Sequence, residues 1–272
     1  MLILAILLFG TEDLAELTLR PNTAKILQRD NLMVTVVLEI KSVSAITIFT
    51  AGAGDKFRLE LREGDKWVVV GAPQGDSMPG GGLLLMGKST YAETKHLHVR
   101  KAGFLFEHSG NHQLRAIAKM PWGDLESKPV TISVGKRDAG DLKRIEDAKL
   151  ELGHLAHGVE SPMPTIVLAL ESVGGNMGRT IRERRMTRTL ALEEPWKGES
   201  VPKEKVCGWL KDKMDPVAYE HALFQLGIFY RQKMNWDGLF RVSQAFEHDS
   251  AERRSFEYRL RQVLNPTPPE MP

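Results

Sequence analysis

The 272-residue sequence has one cysteine, little net charge and no long apolar segment at its start. The single cysteine, Cys207, allows no disulfide within the chain, so cysteine content does not indicate the compartment. The formal charge of +2 argues against general nucleic-acid binding. The apolar residues 1–9 are too few to span a bilayer as a helix, and we expect no membrane span.

The apolar start of the chain has two interpretations. Its length suits the apolar region of a secretory signal, but it has no basic residues before it, and Glu12 and Asp13 follow closely. The alternative is a buried first strand, so residues 1–13 are assigned to a signal or a first strand. We expect export, and therefore a periplasmic or secreted location, while a cytoplasmic location stays open.

Residues 14–137 alternate apolar and polar side chains in short runs between turn residues, which is typical of antiparallel strands. Such strands have one apolar face that must be buried against another sheet, so a β-sandwich is predicted. The predicted strands are 17–20, 33–40, 45–50, 57–61, 66–70, 83–86, 96–99 and 104–106, before a closing pair.

The closing pair lies within residues 104–134. Leu114 and Ala116 alternate with polar residues, 121–126 is predicted to be a turn, and Val130 and Ile132 alternate again. The stretch resembles the last hairpin of bacterial immunoglobulin-like or fibronectin-type sandwiches. The matching residues are Gly110, Leu114, Ala116, Ser127, Pro129, Val130, Ile132 and Val134. His112 or Gln113 stands where such domains often carry a corner tyrosine.

Residues 138–264 show helical spacing instead, so the chain is predicted to be multidomain, β followed by α. The predicted helices are 142–155, 165–173, 177–192, 203–213, 217–233, 236–247 and 251–264. The tail 265–272 contains four prolines and is predicted to be disordered.

Residues 221–246 resemble a degenerate tetratricopeptide repeat. Leu226, Gly227 and Tyr230 match the first helix of that pattern, and Gly238 and Ala245 match small positions in the second. The resemblance implies binding of an extended peptide or a partner helix on a concave surface. The alternative is a helical bundle in which the aromatic side chains are only core.

One segment satisfies the phosphate-loop pattern G-x-x-x-x-G-K-[ST], with Gly82, Gly87, Lys88 and Ser89 at the defining positions. Such a loop needs a strand directly before it and a helix directly after it. Here the sequence predicts a strand soon after Ser89, which favours a chance match over nucleotide binding.

Histidines and arginines form the other candidate sites. His96 and His98 would face the same side of a strand, and His154 and His157 are almost one helical turn apart, but neither pair has a third metal ligand at suitable spacing. The predicted helix 177–192 is strongly basic. It carries Arg179, Arg182, Arg184, Arg185 and Arg188, which favour a solvated face over phosphate contacts.

We therefore expect a non-enzymatic adaptor or binding protein of the bacterial cell envelope, without cofactor, metal or nucleic acid. It would bind a protein or peptide partner through sandwich loops and a helical groove; its oligomeric state is left open. The expected partner-binding residues are Phe229, Tyr230, Trp236, Arg184 and Arg185. The alternatives are a nucleotide-binding enzyme that uses residues 82–89 and a protease inhibitor that uses the loop 75–82.

Overall fold

A computed structural model describes residues 14–49, 56–70, 82–100, 103–156, 165–214 and 216–264. The possible signal or first strand at 1–13, most of the candidate inhibitor loop and the tail 265–272 lie outside these residues. The chain divides into two compact units, Met1–Ile181 and Arg182–Pro272.

A strand-rich region is followed by a helical region, as the change in side-chain spacing predicts. The strands are β1 (Ala15–Pro21), β2 (Lys25–Leu27), β3 (Leu32–Ile40), β4 (Ile46–Ile48), β5 (Phe57–Glu63), β6 (Lys66–Val70), β7 (Leu83–Leu85), β8 (Thr90–Leu97), β9 (Val99–Arg100), β10 (Gly103–Phe104), β11 (Gly110–Met120), β12 (Gly123–Glu126), β13 (Val130–Gly135) and β14 (Asp249–Ser250). Four differ clearly from the prediction. β2 and β14 were not expected, β8 begins six residues before the predicted strand at 96, and β12 occupies most of the predicted turn 121–126.

One sheet of the first unit contains β1, β3 and β8 in that order, all antiparallel. β3 is in the middle because its sequence, LMVTVVLEI, is apolar at almost every position, and nearly all of its residues are buried. Leu38 pairs with Leu17 on one side and with Tyr91 on the other.

The other sheet has the order β2, β13, β11, β5, β6, and β12 pairs with the end of β11. β11 is central: β5 lies along one side, and β13 and β12 share the other. β2 runs parallel to β13, while the remaining pairs are antiparallel. Two short ribbons, β4 with β7 and β9 with β10, complete the strands of this unit.

Apolar side chains of the two sheets meet in the interior. The rings of Phe57 on β5 and Tyr91 on β8 have centroids 5.8 Å apart, and both residues are almost fully buried. Leu59, Leu114 and Ile132 are buried as well. Each large apolar side chain that is removed from water contributes roughly 1.5–3 kcal/mol, so this core stabilises the pair of sheets.

Short helices follow β13 within the same unit: α1 (Ala139–Asp147), α2 (Lys149–Ala156) and α3 (Thr165–Leu168), continued by a 3₁₀ turn at Ala169–Ser172. The predicted helix 142–155 is therefore two helices, with Ala148 at the C-cap of α1. The Asp138 carboxylate accepts hydrogen bonds from the first turn of α1, which is why the helix begins there. Ile145, Leu152, Val167 and Leu170 pack together with Phe104 of β10.

The division between the units falls within α4 (Asn176–Ala191). The second unit continues with a 3₁₀ turn (Lys203–Lys205), α5 (Val206–Lys213), α6 (Pro216–Gln232), α7 (Trp236–Ala245) and α8 (Ala251–Leu264). Leu223, Leu226, Leu239, Val242 and Phe256 form the centre of its apolar core. Across the part of the chain that the structure describes, no helix is long and apolar enough to cross a membrane.

Candidate functional site

The predicted partner-binding aromatic residues of the second unit do not form one exposed groove. Tyr230 on α6 is only 3% exposed, and its ring lies against Gly238 of α7, where an added Cβ would be 2.8 Å from the ring. Phe229 and Trp236 are half-buried against the same core. Tyr230 is therefore a packing residue, while Trp236 keeps part of its surface accessible.

The glycines of this unit explain how closely its helices approach. A Cβ on Gly227 of α6 would lie 2.3 Å from the ring of Phe256 on α8. Phe256 is itself almost fully buried and contacts the rings of Phe224 and Phe246. The sequence pattern anticipates the role of Gly227, because it requires a small residue where a neighbouring helix approaches.

Exposed apolar side chains lie at the start of α7 and on one of its faces. Met234, in the turn before α7, is 71% exposed and Phe240 is 54% exposed. Trp236 and Phe240 are four residues apart, so they lie on the same helix face. Asn235 fixes the start of this helix, since its side chain accepts a hydrogen bond from the N–H of Gly238 at 2.9 Å. We call Met234, Trp236 and Phe240 the α7 strip.

The two expected arginines of α4 have different surroundings. The Arg185 guanidinium lies 5.1 Å from the centre of the Trp196 ring, a cation–π arrangement on an otherwise exposed side chain. Arg184 is partly buried, and burial, together with the charge of Arg188, lowers its pKa to about 10. Both side chains already interact within this unit, which makes them poorer candidates for partner contacts than the α7 strip.

Cys207 and Glu220 of the second unit are also perturbed by burial. Burial raises the pKa of the Cys207 thiol to about 11, so the reactive thiolate is scarce at neutral pH. Burial also raises the pKa of Glu220 on α6 to about 7, and the charge of Glu247 adds to the effect. The Glu247 N–H donates to the Glu220 carboxyl, and Lys211 pairs with Glu247 at 2.6 Å.

The segment that matches the phosphate-loop pattern has the wrong local structure for that site. Residues 83–85 form β7, Gly87 and Lys88 form a turn, and β8 begins at Thr90, where a phosphate loop needs a helix. The Lys88 N–H donates to the carbonyl of Ser42 at 2.9 Å. A Cβ on Gly87 would lie 2.2 Å from the carbonyl oxygen of Val43, so close packing explains this glycine.

His96 lies on β8 and His98 directly follows that strand. The rings of His96 and His98 are stacked with centroids 6.2 Å apart. His98 is buried, which lowers its pKa to about 3 and keeps the ring neutral. In the described segments no three metal-binding side chains come together. The side chain of His154 and all of His157 lie outside the described residues.

Sequence reasoning missed a buried polar network in the first unit. Asp30, in the turn between β2 and β3, pairs with Arg137 at 3.1 Å, and both side chains are almost completely buried. Asp30 also accepts hydrogen bonds from the N–H groups of Asn176 and Met177 at the start of α4. Arg137 donates to the carbonyl oxygens of Gln28 and Gly174, at 2.7 Å each. Except for the contact with Gly174, these contacts span more than a hundred residues, which no local pattern reveals.

No family model and no curated protein matches this chain. Several solved structures are similar over part of it. A sporulation control protein from Bacillus subtilis is 10% identical; the match covers 53% of this chain and 56% of that protein, with a TM-score of 0.31. A β-glucosidase from Listeria innocua is 11% identical over 44% of this chain and 16% of its own, with a TM-score of 0.28. A CARDB domain from Pyrococcus furiosus is 9% identical over 44% and 86%, with a TM-score of 0.28. TM-scores this low do not indicate a shared fold or function.

Proposed function

We propose that this protein is a non-enzymatic adaptor that binds a peptide segment of a protein partner on its second unit. The observation that carries the proposal is the α7 strip, where Phe240 and Met234 expose most of their apolar side chains to water. Large apolar side chains that are exposed near one another often mark interaction surfaces, and tryptophan is enriched among the residues that dominate binding energy.

The packing around the strip supports a preformed binding surface. Leu239 and Val242 anchor α7 to the core, and both are completely buried. Gly227 and Gly238 allow α6, α7 and α8 to pack closely, as in tetratricopeptide repeats. A rigid helix face loses little conformational entropy on binding, so apolar contacts made there are efficient.

For the first unit we propose an immunoglobulin-like sandwich. The strand orders β1-β3-β8 and β2-β13-β11-β5-β6 support it. In immunoglobulin sandwiches, strands A, B and E are neighbours in one sheet, and strands C, F and G are neighbours in the other. Here β1, β3 and β8 would correspond to A, B and E, and β5, β11 and β13 to C, F and G. The His112 ring also approaches the carbonyl oxygen of His108 at 3.0 Å, and a ring N–H must donate in such a contact. This histidine would replace the corner tyrosine.

Selection from a random peptide library on the immobilised full-length protein tests the adaptor function. We expect enrichment of peptides with several apolar side chains, and an affinity at least about tenfold lower for Phe240→Ser. Tyr258→Ser is the matched control, because Tyr258 on α8 is similarly exposed at 64% and lies outside the strip. An unenriched library, or equal affinities for wild type and Phe240→Ser, would refute the proposal.

We propose the cell envelope as the setting of this function. The proposal is supported by the apolar residues 1–9, which have the length of a signal's apolar region. N-terminal sequencing of the mature protein, together with its cell fraction, tests the location. A mature chain that retains Met1 in the cytoplasmic fraction would contradict it.

A further inference from the structure

The outward face of the β2-β13-β11-β5-β6 sheet contains a polar hollow of about 410 Å³, which we call the sheet hollow. Its lining side chains come from three strands: Arg62 on β5, Asn111 and Gln113 on β11, and Thr131 on β13; Gly64, just after β5, also lines it. The volume lies within the range of small-molecule sites in proteins. Because the lining residues belong to paired strands, backbone hydrogen bonds hold their relative positions.

Strand register places four different side chains in one row across this face. Thr131 pairs directly with Gln113. Leu114 pairs with Leu61, which puts Gln113 beside Arg62, and Arg62 pairs with Trp67 of β6. Directly opposite side chains project from the same face of a sheet. The row therefore presents a hydroxyl, an amide, a guanidinium and an indole to solvent.

Arg62 differs from the other arginines on this face. Arg58 and Arg115 both pair with Glu60, and their remaining N–H groups reach Asp124 and Glu126. Arg62 donates only to neutral oxygens, the Gly64 carbonyl at 3.2 Å and the Gln113 amide at 2.9 Å. Among the described residues it has no carboxylate partner, and its second terminal nitrogen makes no hydrogen bond.

The remaining lining groups are also available to a ligand. Within the described part of the chain, the side chains of Asn111 and Thr131 make no hydrogen bond, and the amide nitrogen of Gln113 makes none either. A guanidinium presents a planar fork that matches a carboxylate, and amides and hydroxyls both donate to and accept from sugar hydroxyls. One cation surrounded by neutral polar groups fits a ligand with a single negative charge and several hydroxyls.

We propose that the sheet hollow binds a sugar acid, with the carboxylate on Arg62 and the hydroxyls on Gln113, Asn111 and Thr131. The Trp67 indole is the next side chain in the row and lies against the Arg115 guanidinium, 4.4 Å from its ring centre, outside the lining of the hollow. This site lies in the first unit. It does not depend on peptide binding by the second.

The test is a titration of the ¹⁵N-labelled full-length protein with glucuronate, followed by amide chemical shifts. We expect saturable shifts at residues around the sheet hollow, with millimolar affinity for a single sugar. Arg62→Gln should weaken binding by about tenfold or more, because it removes the charge-assisted bonds. Lys66→Gln on β6 is the matched control: it removes the same charge from an exposed neighbour that does not line the hollow, and should leave affinity unchanged.

Titrations with two further ligands show which chemical groups of the ligand the sheet hollow recognises. Glucose, which lacks the carboxylate, should bind about tenfold or more weakly than glucuronate, and propionate, which lacks the hydroxyls, should also bind more weakly. Comparable affinity for glucose overturns the role of Arg62, and comparable affinity for propionate overturns the sugar assignment. Absence of saturable shifts with glucuronate overturns the site itself. The three wild-type titrations decide these points even if a variant fails to fold.

Discussion

Replacing Gly227 with alanine tests the close approach of α6 and α8. In an exposed helix this change stabilises the fold by about 1 kcal/mol, because glycine loses more backbone entropy than alanine. Here the new Cβ would lie 2.3 Å from the ring of Phe256, which cannot move aside because it is buried. Overpacking a core costs about 1–3 kcal/mol, and a contact this close lies in the upper part of that range, at about 2–3 kcal/mol. The net expectation for Gly227→Ala is a loss of about 1–2 kcal/mol.

Gly208→Ala provides the matched comparison. Gly208 lies within α5 of the same unit, and a Cβ there would meet nothing within 4 Å. This variant should therefore gain up to about 1 kcal/mol, since only the entropy difference acts. Urea unfolding followed by circular dichroism at 222 nm measures both free energies of unfolding. The two alanine variants should move in opposite directions.

A second change separates overpacking from any other cause. Phe256→Leu shortens the ring that faces Gly227, so the double variant should be less destabilised than the sum of the two single variants. If Gly227→Ala is as stable as Gly208→Ala, or if the two single effects simply add, the helices do not approach as closely as described and the reasoning fails.

Three further predictions concern buried charge and the phosphate-loop pattern. Asp30→Asn should cost about 3–5 kcal/mol in urea unfolding, because Arg137 keeps a buried and uncompensated charge; a loss under 1 kcal/mol would contradict this. Burial raises the pKa of Glu220 from 4.5 to about 7, so folding favours its protonated form. The stabilisation by that form is complete below pH 4.5 and is lost as the pH rises through 7. Glu220→Gln should remove that pH dependence and be the more stable form at pH 8, by at most about 3 kcal/mol; parallel pH profiles would contradict this. Calorimetric titration with Mg-ATP should show no binding to wild type or Lys88→Ala, and binding that Lys88→Ala abolishes would disprove the geometric argument.

Local side-chain spacing predicted most elements of the fold. The predicted strand 66–70 and the predicted helix 251–264 match β6 and α8 at both ends, because each has strong periodicity and clear boundary residues. β2 and β12 were missed, since each has only a few residues and depends on pairing with a distant or neighbouring strand. A short strand takes its structure from its partner, and single-sequence periodicity contains little information about partners.

The candidate sites depend even more on long-range pairing. The sheet hollow is assembled from Arg62, Gln113 and Thr131, which come from three strands brought together only by register. Tyr230 and Trp236 were both predicted to line a partner-binding groove; Trp236 keeps part of its surface accessible, whereas the Tyr230 ring fills the space beside Gly238. Aromatic side chains at helical spacing indicate an apolar face, but they do not indicate which of them the neighbouring helix covers.

The change from strand to helix spacing and the boundary between the two compact units fall at different residues, because long-range contacts decide where the first unit ends. Side-chain spacing changes near Asp138, where α1 begins, yet the compact first unit extends to Ile181. The helices α1, α2 and α3 are short and bury their apolar residues together with Phe104 of β10. Asp30 accepts hydrogen bonds from the first N–H groups of α4. Arg137 donates to the carbonyl oxygens of Gln28 and Gly174 and pairs with Asp30, and both charges are buried. Separating residues 138–181 from the sheets would leave these groups unpaired, so the strands and the first helices form one folding unit despite their different periodicity.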